Sequence, residues 1–132
     1  VAAVGVARDR KSGRAGVAGA GTPPLLVARA AGAAELIWSS APPLGLLERS
    51  QFAEEAFTLA PGDSFLLYTD GLYGTSKSET ERWTPERLRV ALEAKASGSA
   101  QELLLRIIPR MPTEDGGSLP DDPTAAAFHS AK

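Results

Sequence analysis

Two acidic turns hold the side chains in this sequence best suited to chemistry. Asp70-Gly71 follows directly on an apolar strand-like run, SFLLYT, at residues 64–69. An Asp at the end of a strand can project its carboxylate into a crevice, while the Gly lets the backbone turn sharply or a ligand approach closely. Asp121-Asp122 lies between a polar loop and a final strand-like run. Adjacent carboxylates repel one another, so they are exposed or share a cation. Hard divalent cations such as Mg²⁺ or Mn²⁺ take such oxygen ligands, with waters completing the shell. Taken alone, each signal reads first as something plainer: Asp-Gly as a turn, Asp-Asp as a solvated loop or helix cap.

Several other chemistries are excluded or disfavoured. The chain has no cysteine, which removes disulfides, thiolate metal sites and thiol nucleophiles. A net charge of −2, with arginines interleaved among acids, shows no basic stripe for nucleic acid. Nor is there a polybasic anchor, an apolar run of the ~20 residues a membrane span needs, or the charged start and apolar core of a signal peptide. This composition is compatible with the cytoplasm. The lone histidine, His129, falls in the last strand, where it reads as structural or exposed.

The elements that must position the two turns follow from pattern. Residues 1–8 and 14–20 read as strands joined by the polar turn DRKSG, a β-hairpin. Pro23 and Pro24 then break the run, since neither can donate to a ladder. Residues 25–30 and 35–39 form a second hairpin around Ala31-Gly32-Ala33, and 41–48 (APPLGLLE) reads as a loop. Alternation over 55–59 predicts a half-buried strand, and Pro61-Gly62-Asp63 a turn, with Pro and Gly supplying its two special φ values. Residues 64–69 are the core strand.

Thr84-Pro85-Glu86 combines an N-cap, a first-turn proline and an acid near the positive end of the helix dipole. Leu88 and Leu92 give that helix its buried stripe. Ser99 with Glu102 matches a capping box for a second helix, through about Ile108, with Leu103, Leu104 and Ile107 at helical spacing. Residues 113–120 are a polar loop and 124–130 a last strand. Trp38 is expected to cover the sheet, and Trp83 to act as the hydrophobic staple before Thr84. Strands first and helices later indicate an α+β domain with mainly antiparallel sheets.

Five ordered motifs carry a family resemblance: GTPPLL at 21–26, APPLGLLE at 41–48, PGD at 61–63, YTDG at 68–71 and DDPT at 121–124. Their order and spacing resemble bacterial SpoIIE-like (RsbU-type) serine/threonine phosphatases of the metal-dependent PPM superfamily. The resemblance covers nearly the whole chain. It implies a PPM-type antiparallel β-sandwich flanked by helices, represented over 1–132 by the C-terminal part of a single domain. Asp70 and Asp121 would be metal ligands at a dinuclear Mn²⁺ or Mg²⁺ centre, with Gly71 and Asp122 supporting.

The implied reaction is hydrolysis of phosphoserine or phosphothreonine by water activated between the two ions. The implied substrate is a phosphorylated STAS-type anti-sigma-factor antagonist of a partner-switching pathway, with an upstream sensor domain as a further partner. The sequence also departs from the pattern. The family's Asp-x-Ser-Gly-like metal-binding turn, expected upstream, is not in these residues, so the centre would be incomplete here. Thr22 stands where the family has His, Tyr73-Gly74 replaces Thr-Glu, and Pro123 follows the two acids. The alternative is a catalytically degenerate module of the same fold that binds a regulatory partner.

Overall fold

A computed structural model describes residues 1–39, 41–73, 84–93, 99–107 and 124–131. Among these residues seven strands and two α-helices occur in the order β1 (Ala3–Arg8), β2 (Arg14–Ala20), β3 (Leu25–Ala28), β4 (Ala34–Ile37), β5 (Glu55–Thr58), β6 (Ser64–Tyr68), α1 (Pro85–Leu92), α2 (Ala100–Ile107) and β7 (Ala125–His129). They form two antiparallel sheets. One is three-stranded, ordered β1-β2-β5, and the other four-stranded, ordered β4-β3-β6-β7.

Period-2 alternation in β3 and β6 divides the core in two. Leu25, Val27 and Phe65 face the three-stranded sheet and meet Val17 and Leu59 there. Leu26, Leu66 and Tyr68 face the other way and meet Leu88, Leu92, Leu103 and Ile107 of the two helices. The layers are therefore helices, four-stranded sheet, three-stranded sheet. Leu26 and Leu66 are wholly buried, and each such side chain contributes about 1.5–3 kcal/mol by leaving water. On the three-stranded sheet, the face turned away from this core carries Ala3, Gly5, Ala7, Gly16, Ala18 and Ala56, residues that add almost no apolar area.

Turn chemistry fixes the register of the first hairpin. The Asp9 carboxylate accepts hydrogen bonds from Ser12 Oγ at 2.5 Å and from the Lys11 and Ser12 amides at 3.1 and 3.3 Å. These bonds, the Ser12 hydroxyl foremost, hold Asp9 below the usual carboxylate pKa. Gly13 closes the turn at φ +74°, and a Cβ there would stand 2.7 Å from the Leu59 carbonyl oxygen. Only glycine fits without strain.

The Pro61-Gly62-Asp63 turn does more than reverse the chain. Asp63 is 4% exposed. Its carboxylate accepts from the Ala30 amide at 2.9 Å, the Ala60 amide at 3.0 Å and Arg29 Nη1 at 2.9 Å. Arg29 also donates to the Thr58 carbonyl at 2.5 Å and pairs with Glu35. One buried carboxylate thus ties the β3–β4 hairpin, the end of β5 and the start of β6.

Both helix starts have the expected caps. Thr84 Oγ1 accepts from the Arg87 amide at 3.2 Å. Ser99 and Glu102 exchange reciprocal bonds, each 3.2 Å, in a capping box. One expectation is corrected. Trp38 does not cover the sheet: it is 61% exposed, because it sits just past the end of β4 where the chain leaves for the 41–53 loop. Over 55–59 the expected alternation holds: Phe57 and Leu59 turn to the core, while Glu55, Ala56 and Thr58 of the edge strand β5 are exposed. Trp83 and Ile108 lie outside the described residues.

Candidate functional site

Asp70 stands where β6 leaves the four-stranded sheet, at the head of a single 3₁₀ turn, Asp70–Tyr73. The chain holds this point from both sides. On the N-terminal side, Thr69 is clamped to Thr124: its amide donates to the Thr124 carbonyl at 3.0 Å, and its Oγ1 accepts from the Thr124 amide at 3.0 Å. On the C-terminal side, Leu72 is 2% exposed and packs into the helix-facing core, while its amide donates to the Thr69 carbonyl at 3.1 Å. Between these anchors the Asp70 side chain is exposed, with no hydrogen bond or ion pair to any described residue. The result is an exposed, hard oxygen donor, without a partner among the described residues, on a strand end held from both sides.

Strand register shows what shares that end of the sandwich. Leu26 lies opposite Leu66, and Leu25 opposite Ile37. The start of β3 and the end of β4 therefore lie level with the end of β6. The segment around Gly21–Pro24, the exit of β4 at Trp38 and the start of β7 all gather there. The Gly21 amide donates to the Ala41 carbonyl at 2.7 Å, which brings the start of the 41–53 loop to the same end. The β1–β2 turn, Asp63 and Ser130 lie at the opposite end. A shallow cavity of about 660 Å³ lined by Asp9, Arg14, Gly16 and Glu54 is there too, remote from Asp70.

The resemblance-derived site residues fare differently. Asp70 and Gly71 are placed as just described. Asp121 and Asp122 lie outside the described residues. Among the described residues no group of three or more His, Cys, Asp or Glu is positioned to hold a metal ion. Asp70 thus has the donor chemistry for Mg²⁺ or Mn²⁺, and the rest of any ligand set must come from elsewhere. Sequence reasoning missed the Thr69–Thr124 clamp and the Leu72 anchor. The signal available was the threonine on either side of the two acidic motifs.

The family model for Stage II sporulation protein E (SpoIIE) matches residues 1–130. The chain belongs to the SpoIIE family. Solved structures agree on the fold. The phosphatase domain of the cell fate determinant SpoIIE from Bacillus subtilis, presoaked with Mn, is similar over 100% of this chain and 57% of its own, with TM-score 0.70 and 15% identity. The SiaA-PP2C domain of Pseudomonas aeruginosa is similar over 94% of this chain and 49% of its own, with TM-score 0.68 and 21% identity. RsbX in complex with magnesium is similar over 96% of this chain and 54% of its own, with TM-score 0.63 and 16% identity. The chain therefore spans about half the length of these SpoIIE-like structures. No curated protein sequence matches it. The expected α+β fold with antiparallel sheets and flanking helices is the one these phosphatase domains share.

Two polar residues of this SpoIIE-family chain bear on the Asp70 neighbourhood, one by its presence and one by its distance. Thr22, near the Asp70 end, has its Oγ1 buried without a hydrogen-bond partner among the described residues. His129 is at the far end, where Nδ1 lies 2.8 Å from Ser64 Oγ, so the chain's one imidazole is a strand-to-strand contact and not part of the Asp70 neighbourhood. No described helix is long and apolar enough to cross a membrane.

Proposed function

We propose that this chain forms part of a metal-dependent protein serine/threonine phosphatase domain and that Asp70 and Asp121 are among its metal ligands. The observation that carries the reading is the Asp70 carboxylate, without a partner among the described residues, on a strand end that is clamped on one side and buried on the other. A structural aspartate would be expected to spend its lone pairs on neighbouring amides, as Asp9 and Asp63 do in this same chain. The Thr69–Thr124 clamp supports Asp121 as a second ligand. Asp121 is three residues from Thr124, and three residues reach at most about 11 Å, so both carboxylates are tethered to one pair of hydrogen-bonded threonines. Gly71 leaves room beside Asp70, and Asp122 has a supporting role.

The ions proposed are Mn²⁺ or Mg²⁺, in line with the Mn-presoaked SpoIIE and magnesium-bound RsbX structures. Divalent cations in such sites make water a nucleophile at neutral pH and neutralise charge on the transferring phosphoryl group. The protein's own contribution is positional. Thr69 and Leu72 hold the Asp70 carboxylate in one place, and no side-chain nucleophile is needed, consistent with a chain without cysteine. The substrate proposed is phosphoserine or phosphothreonine on a STAS-type anti-sigma-factor antagonist in the cytoplasm, with control by an upstream sensor domain.

The test is hydrolysis of p-nitrophenyl phosphate by the protein carrying the complete phosphatase domain. Turnover is expected to require Mn²⁺ or Mg²⁺ and to fall at least a hundredfold in Asp70→Asn. Metal-independent turnover, or an unimpaired Asp70→Asn protein, would sink the reading. A second reading, a degenerate module that binds a partner without catalysis, is motivated by the departures from the family pattern at Tyr73-Gly74 and at Pro123 after the two acids, and by the upstream Asp-x-Ser-Gly-like turn that these residues do not include. It predicts no turnover in the complete domain at any metal concentration.

A further inference from the structure

The pairing of β6 with β7 ends irregularly, and the irregularity falls on the residue before Asp70. In an antiparallel ladder, hydrogen-bonded partners exchange two bonds, each amide donating to the other's carbonyl. The register that sets Tyr68 opposite Ala125 brings Thr69 opposite Thr124. The Thr69 amide donates to the Thr124 carbonyl at 3.0 Å, as the ladder requires. The return bond takes a different acceptor. The Thr124 amide donates to Thr69 Oγ1 at 3.0 Å, and that hydroxyl donates in turn to the Thr124 carbonyl at 3.4 Å.

The exchange of acceptors has a geometric effect. A ladder bond holds a carbonyl in the sheet, perpendicular to the strand, whereas a 3₁₀ turn needs it directed along the chain towards the third residue on. One carbonyl cannot point both ways. Because its side chain answers the Thr124 amide, the Thr69 carbonyl is released to accept from the Leu72 amide at 3.1 Å, which closes the turn Asp70–Tyr73. The chain thus passes from strand to turn within one residue, and Asp70 is the first residue beyond the change. A hydroxyl one bond from Cβ can do this; the equally shaped valine side chain has no acceptor.

Resting on the reading of Asp70 as a metal ligand, we infer that the Thr69 hydroxyl is a positioning group for that site. It stands in for its own backbone carbonyl in the ladder and so fixes where the Asp70 carboxylate sits. Its partner is Thr124, three residues after Asp121, so the same hydroxyl joins the segment carrying Asp70 to the segment that leads from Asp121. Thr69 and Thr124 are both exposed, where water competes for the bond and its net contribution to global stability is small. The role of the hydroxyl is therefore one of placement, exerted through Asp70 and not by contact with an ion.

The experiment compares Thr69→Val, which keeps the β-branched shape and removes the hydroxyl, with Thr69→Ser, which keeps the hydroxyl. Both are made in the protein carrying the complete phosphatase domain. The first readout is amide hydrogen exchange without added metal. In Thr69→Val the Thr124 amide either loses its acceptor or takes the Thr69 carbonyl away from Leu72. Exchange at Thr124 or at Leu72 is therefore expected to quicken at least about tenfold, while Thr69→Ser behaves as the wild type. Unchanged exchange at both amides in Thr69→Val overturns the inference.

The second readout is a Mn²⁺ titration followed by electron paramagnetic resonance. Affinity is expected to fall about tenfold in Thr69→Val and to stay within about twofold of the wild type in Thr69→Ser. Wild-type affinity in Thr69→Val, or a Thr69→Ser protein as weak as Thr69→Val, overturns the inference. Urea unfolding separates placement from support: the Thr69→Val midpoint should lie within about 0.5 M of the wild type, and a larger drop would make Thr69 a structural tie and overturn the inference as well. A wild type without saturable Mn²⁺ binding would instead sink the reading of Asp70 on which the inference rests.

Discussion

Replacing Asp63 by alanine should destabilise the domain more than the loss of one ordinary surface acid could. The Asp63 carboxylate is buried and accepts hydrogen bonds from two backbone amides and one guanidinium. Truncation leaves the Ala30 and Ala60 amides without that acceptor and strips Arg29 of its buried partner. Removing one member of a buried pair costs about 3–5 kcal/mol. Arg29 is about a quarter exposed and keeps Glu35, which places the expected loss near the lower end, about 3 kcal/mol.

With a urea m-value of about 1.5–2 kcal/mol/M for a chain of this size, the midpoint of urea unfolding should drop by about 1.5–2 M. Circular dichroism at pH 7 reads this directly. A drop of less than about 0.5 M would refute the assignment of Asp63 as the tie between the β3–β4 hairpin and β6. The same reasoning gives a pH dependence. Burial alone would raise the Asp63 pKa, but the Ala30 amide, Arg29 and the Ala60 amide outweigh it and hold the pKa below its ordinary value. A depressed folded-state pKa means that the carboxylate's contribution is fully present above about pH 4, the unfolded value. It is lost as pH falls through the folded value. The stability gap between wild type and Asp63→Ala should therefore be wide at pH 6 and narrow progressively below pH 4.

Two further perturbations probe the local structure. Gly13→Ala forces a Cβ into left-handed backbone and against the Leu59 carbonyl, and should cost at least about 1–2 kcal/mol, read as a urea midpoint lowered by roughly 1 M. Thr84→Ala removes the cap of α1 and should cost about 1 kcal/mol, seen as roughly fivefold faster hydrogen exchange across α1 with β3 and β6 unchanged.

Much of this fold was legible in the sequence because its signals are local. Alternation marked the strands, Asp9 to Gly13 and Pro61 to Asp63 marked turns, and Thr84 and Ser99 marked helix starts, each a matter of residues within four positions. What escaped was set by distant contacts. Asp63 read as part of a turn, and nothing near it in sequence pointed to Arg29 or Ala30 as partners. Trp38 read as a sheet cover because its size suggested burial, whereas the end of β4 leaves it in solvent. Asp70 was legible as a candidate from Tyr68-Thr69-Asp70-Gly71. Its fixation by Thr124, 55 residues away, was not, since strand pairing between β6 and β7 is needed to bring the two threonines together.

The central claim is that the Asp70 carboxylate is a metal ligand. Its most direct test is a Mn²⁺ titration followed by electron paramagnetic resonance, on the protein carrying the complete phosphatase domain and on its Asp70→Asn variant. The expected result is saturable Mn²⁺ binding by the wild type that is weakened at least tenfold in the variant, while circular dichroism shows the fold retained. Equal Mn²⁺ affinity in the two proteins would contradict the account.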